Sequence, residues 1–166
     1  MEVNKEKMKQ VIHYIIQKCQ EKTNFGITVL YKLIYFSDFN HYELYETSIT
    51  NEIYIKRKLG PVPSNFDGLY DELTRENKVS CEKELVIDYK RNKYISLKEP
   101  DISLLNNKEI EVIDSVIEKL SHMTGREISD YSHEDKPWRV AKFQDPLDPE
   151  FVFYRDDEYS VREYTE

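Results

Sequence analysis

The sequence predicts a helix-dominated α+β fold, a single domain with a small antiparallel β-sheet or hairpin. Apolar residues recur at helical spacing at Met8, Val11, Ile12, Ile15, Ile16 and Cys19, and again at Ile110, Ile113, Val116, Ile117 and Leu120. Two stretches, residues 53–58 and 79–97, alternate with the period of a strand. The chain has 166 residues, enough for one core. Its 13 tyrosines and 7 phenylalanines argue against general disorder.

The first helix is predicted over residues 5–21, and Thr23-Asn24-Phe25-Gly26 breaks it. A second runs from about Thr28 to Tyr45 with two usable faces. Ile27, Leu30, Leu33, Ile34 and Ser37 form one stripe; Tyr31, Tyr35, Asp38, Tyr42 and Tyr45 form another. Such a helix is expected to be central and packed on two sides. Residues 48–51 read as a turn before the first strand. Gly60-Pro61-Val62-Pro63 is expected to end that strand as a rigid turn, because each proline fixes φ and lacks a donor.

Ser64 is expected to cap a helix reaching about residue 77, with Phe66, Leu69, Tyr70 and Leu73 inward. Residues 79–97 read as a hairpin turning at Arg91-Asn92. Asn106 or Asn107 caps the next helix. Thr124 and Glu127 fit a capping box for a short helix over 126–133. Asp135 and Pro137 then open a turn or helix holding Trp138. Residues 1–144 thus form the helical domain. Residues 145–166 form an acidic, aromatic segment whose Phe151-Val152-Phe153-Tyr154 run is apolar enough to dock on it.

Formal charge is −8, and residues 145–166 hold −6 of it, eight acids against Arg155 and Arg162. An acidic chain is a poor duplex binder, since that affinity rests on neutralising phosphates. It suits a basic protein partner, and the acids also favour solubility. A helix followed by a hairpin carrying Lys90, Arg91 and Lys93 leaves a winged-helix-like nucleic-acid binder as a minor alternative. With two cysteines, no Cys-x-x-Cys, no secretory signal and no span-length apolar run, a reduced cytoplasmic protein off the membrane is expected.

Reactive constellations are sparse. His13, His41, His122 and His133 lack zinc-ligand spacing. Asp38 and His41, three apart, can share a helix face and read as a structural pair. Ser132-His133-Glu134 cannot form one relay, because adjacent helical residues point about 100° apart. Four glycines make no phosphate loop. No catalytic residue, cofactor or metal is therefore assigned, although an enzyme centred on Asp38, His41 and His133 stays open as an alternative.

Four ordered motifs carry a resemblance: KLIYFSDFNHY (32–42), SIT (48–50), GPVP (60–63) and SDYSHEDKPW (129–138). In that order and spacing they resemble the Panacea domain, the SocA-like antitoxin family, often labelled phage-associated. The resemblance runs from about residue 28 to residue 140. It implies a compact, mainly helical domain with a small antiparallel sheet. It also implies the antitoxin of a bacterial or prophage pair, binding and neutralising a protein toxin usually encoded beside it. At least one member instead delivers its toxin to a protease as an adaptor; no enzymatic activity is implied. Lys32, Leu33, Tyr35, Phe36, Asp38, His41, Thr50, Gly60, Pro61, Val62, Pro63, Leu69, Leu73, Ser129, His133 and Trp138 fall on family motif positions.

Two positions depart from the family, which usually has glycine where Glu46 and Asn51 stand. Asparagine tolerates positive φ, but glutamate does not do so cheaply, so a loop of different shape is expected at Glu46. A division of labour is expected among the motif residues. Gly60-Pro61-Val62-Pro63 and Trp138 fix the scaffold, and Asp38, His41 and His133 form one polar set. Partner specificity then lies on exposed surface, with Tyr42, Tyr45, Arg91 and Tyr154 as candidate contacts.

Overall fold

The computed structural model describes residues 2–86 and 89–165, without side chains for residues 84–91. Helix α1 (Lys5–Cys19) begins where Asn4 Oδ1 accepts from the Lys7 N–H, pairing a donor the helix itself leaves free. Its Met8, Ile12, Ile15 and Ile16 enter the core. Helix α2 (Ile27–Tyr45) is buried along most of its length. It packs against α1 and, further along the chain, against helices α4 (Asn107–Leu120) and α5 (Gly125–His133). It is the central element its two faces predict.

Helix α2 ends with Glu46 in the left-handed conformation (φ 60°), its N–H donating to Tyr42 O at 2.7 Å. Asn51 also has φ 60°. Both residues therefore keep the backbone that glycine would adopt. Glu46 carries the strain of a left-handed backbone that a side chain disfavours.

Strands β1 (Tyr54–Arg57) and β2 (Gly60–Pro63) form an antiparallel pair. Gly60-Pro61-Val62-Pro63 is therefore a strand, not the turn expected; the turn lies at Lys58-Leu59. Register explains why prolines are tolerated. Arg57 faces Gly60 and Ile55 faces Val62, the positions that exchange ladder bonds across a two-residue hairpin. Pro61 and Pro63 fall between them, where a strand N–H would point away from the partner. The other edge of β1 is taken by the C-terminal segment. Lys56 N–H donates to Asp145 O at 3.0 Å, Gln144 N–H to Lys56 O at 3.0 Å, and Leu147 N–H to Tyr54 O at 2.8 Å.

Helix α3 (Phe66–Arg75) has Asn65, not Ser64, at its N-cap position. Ser64 Oγ instead donates to Glu52 Oε1 at 3.1 Å. Strands β3 (Val79–Val86) and β4 (Tyr89–Ser96) form the predicted hairpin, but with a different reversal point. Lys83 pairs with Asn92 and Glu84 with Arg91, so Arg91-Asn92 lies within β4. The pairing runs from Val79 with Ser96 to Val86 with Tyr89.

Helices α4 and α5 both start with complete capping boxes, Asn106 with Glu109 and Thr124 with Glu127. Helix α6 (Lys136–Val140) follows Asp135 and holds Trp138. A 3-10 helix, Pro149–Tyr154, then buries Val152 and packs on α2 and α6. The whole is a helix-dominated α+β domain with two small antiparallel sheets. Among the described residues no helix is long and apolar enough to cross a membrane.

Candidate functional site

Three of the four motifs meet at Lys32. Its side chain is 1% exposed, and Nζ donates to Pro61 O at 3.3 Å. Burial pushes its amine down to about 7. Gly60 has φ 118°, and a Cβ there would lie 2.2 Å from Lys32 Cε and 2.5 Å from Ser132 Oγ. Only glycine fits that backbone and that space. Ser129 Oγ donates to Leu59 O at 2.8 Å, and Ser132 Oγ to Ser129 O at 2.7 Å. Motif residues on α2, β2 and α5 thus form one packed junction.

The remaining motif meets α2 at Asp38. Its buried carboxylate accepts from Ile49 N–H and Thr50 N–H, each at 3.0 Å, from Thr50 Oγ1 at 2.6 Å, and from the Tyr54 hydroxyl. Burial raises its pKa to about 6, against the pull of those four donors. His41 lies elsewhere: Nδ1 meets Thr47 O and its ring lies 4.8 Å from that of Tyr45. His133 stacks on Trp138 with ring centroids 4.2 Å apart. No hydrogen bond joins Asp38, His41 and His133 among the described residues, so the single polar set expected of them is not formed. Each is claimed by its own neighbours.

Two side chains pack on the Trp138 ring. His133 stacks on it, and Lys56 Nζ lies 3.8 Å from the ring while donating to Ala141 O at 3.0 Å. Beside this stack, Leu59, Lys58, Arg126, Ser129, Asp130 and His133 line an open cavity of about 530 Å³.

A further buried polar cluster centres on Arg155, which lies outside the four motifs. The Arg155 guanidinium is fully buried. It donates to Asp135 through Nε at 2.8 Å and NH2 at 2.9 Å, and through NH1 to Asn40 at 2.8 Å and Glu43 at 3.1 Å. Tyr35 adds a 2.7 Å bond to Asp135. Glu43 also accepts from Ser160 Oγ, Val161 N–H and the Tyr164 hydroxyl. Burial alone would lower the Arg155 pKa; the facing Asp135 and Glu43 carboxylates raise it instead. The cluster ties the C-terminal segment to α2 and to the start of α6. The sequence signal was faint: one arginine inside an acidic run, directly after an aromatic run.

The candidate partner contacts are dispersed. Tyr154 is 68% exposed. Tyr45 is partly exposed and sits under Lys108 at 5.0 Å. The Tyr42 hydroxyl donates to Glu150 at 2.9 Å, so α2 and the 3-10 helix share that side chain. The Arg91 side chain lies outside the described residues. No group of three or more His, Cys, Asp or Glu residues arranged to hold a metal occurs among the described residues.

The model of the family described as "Antitoxin SocA-like, Panacea domain" matches residues 30–139, about two-thirds of the chain. That span runs from within α2 to within α6 and includes every residue of the Lys32 and Asp38 junctions. No curated protein and no solved structure matches the chain.

Proposed function

Because the chain belongs to the SocA-like antitoxin, Panacea domain family, we propose that it neutralises a cognate protein toxin by binding it directly through its folded surface. The observation that carries this reading is where the motif side chains go. Lys32, Asp38, Gly60 and Ser129 are consumed inside the fold, each against another motif segment or its flank. Their arrangement holds a scaffold, and recognition then falls to surface residues outside the motifs. A binding role also fits Asp38, whose two oxygens are enclosed by donors and have no room for a substrate. The partner would meet it in the cytoplasm, and a surface of this domain can supply the roughly 800 Å² per side of a standard interface.

Co-expression with the product of the neighbouring reading frame tests the proposal. Growth protection together with co-purification of the two chains is the expected result. Protection that disappears in protease-deficient cells would move the reading to a proteolytic adaptor. Absence of both protection and binding would remove the antitoxin reading.

A further inference from the structure

One surface joins exposed aromatic side chains to an excess of acid. Phe143 is 60% exposed, Tyr154 68% and Val140 46%. Val140 also lines a groove of about 260 Å³, together with Ala141, Lys142, Asp145, Pro146, Asp148 and Phe151. The Phe151 and Tyr154 rings are 6.1 Å apart. Asp145, Asp148, Asp156, Asp157 and Glu158 are all exposed in the same segment. Of the nearby cations, Arg139 is already paired with Asp156 at 3.6 Å, the buried Lys56 is held at the Trp138 ring and Ala141 O, and Lys142 is exposed on the groove.

Large aromatic side chains in water are the usual anchors of protein interfaces. This set is held rigidly from behind. Arg155 directly follows Tyr154, and its buried guanidinium is clamped by Asp135 and Glu43. Phe143 rests against Trp138, with ring centroids 6.0 Å apart, and Lys56 Nζ lies 5.0 Å from the Phe143 ring. A buried ion cluster is a weak source of net stability. It does fix the segment that presents Tyr154, and a preorganised surface loses less freedom on binding.

We propose that the Val140–Phe143–Phe151–Tyr154 surface is the toxin-docking face, and that the toxin meets it with a basic patch around an apolar side chain that enters the groove. This rests on the antitoxin reading above. Charge selects the occupant. A second copy of this chain, at −8, would bring its own acids against these acids, and a nucleic acid would be repelled outright.

The test uses the full chain with the neighbouring-frame toxin, in four forms: wild type, Phe143→Ala/Tyr154→Ala, Asp157→Lys/Glu158→Lys, and Ile102→Ala, an exposed apolar residue before α4. Thermal melts confirm that each form folds. The aromatic pair is expected to weaken binding by about 100-fold or more. The charge pair is expected to slow association about tenfold and to flatten its salt dependence. Ile102→Ala is expected to bind as wild type does. Full binding by both patch variants, or loss with Ile102→Ala alone, would overturn the docking face while leaving the antitoxin reading intact. A toxin-free dimer that the aromatic pair abolishes would assign the groove to a second copy and overturn the proposal. Wild type that neither binds nor protects would remove both readings.

Discussion

Gly60 and Lys32 occupy one another's only available space: a Cβ on residue 60 would stand 2.2 Å from Lys32 Cε. The lysine cannot swing aside, because it is enclosed and its ammonium is held at Pro61 O. The contact makes the glycine of β2 and the lysine of α2 a single structural unit.

Gly60→Ala should therefore be severely destabilising. It combines a φ of 118°, which L residues rarely adopt, with a clash against two buried side chains. A loss of about 3 kcal/mol or more is expected in urea denaturation. Gly68→Ala is the control. It lies in α3 with nothing within 4 Å of the new methyl, and should add about 0.5–1 kcal/mol.

Lys32 gives stability a pH dependence. Its amine sits at about 7 in the folded chain, against 10.5 for an ordinary lysine. Between those values the unfolded chain binds a proton that the folded chain does not, so stability rises with pH. Lys32's contribution is complete above 10.5 and is lost as pH falls through about 7. The slope within the window approaches about 1.4 kcal/mol per pH unit. Lys32→Met keeps the volume and removes the titration. Denaturation midpoints measured from pH 7 to 10 should climb in the parent more steeply than in the variant.

Arg155→Met should cost about 3–5 kcal/mol, because it leaves the Asp135 and Glu43 carboxylates buried without their counter-charge. Lysine should not rescue it, since one ammonium cannot reproduce four directed bonds on three partners. Limited proteolysis should then cut within residues 145–165 well before the rest of the domain.

Glu46→Gly should stabilise the chain by about 0.5–1 kcal/mol, by relieving a left-handed residue that bears a side chain. The exposed pair it forfeits, Glu46 with Arg162 at 3.3 Å, is worth about 0.5 kcal/mol or less. Asn51→Gly should change stability less, because asparagine already tolerates that conformation. Paired urea titrations check both.

Local signals were readable wherever one stretch of chain decides the outcome. The capping boxes at Asn106–Glu109 and Thr124–Glu127 form as their spacing predicts, because cap and partner are three residues apart. Proline chemistry alone misread Gly60-Pro61-Val62-Pro63. Whether a proline is tolerated in a strand depends on which pairs carry the ladder bonds, and that is fixed by the partner strand. Spacing alone also misread Asp38 and His41. They do sit three apart on α2, but the chain beyond α2 returns with Thr50 and Tyr54 for one and Thr47 for the other.

By itself the sequence determined the helices, the capping boxes of α4 and α5, the central place of α2 and the family to which the chain belongs. These rest on periodicity and on short ordered motifs, which are properties of neighbouring residues. Only the tertiary structure decided that Lys32, Gly60 and Ser132 share one junction. Only it showed that Arg155 is a buried clamp, and that Phe143 and Tyr154 stand exposed beside an acidic rim. Arg155 lies 112 residues from Glu43 along the chain, and no local pattern encodes a contact made by closing so long a loop.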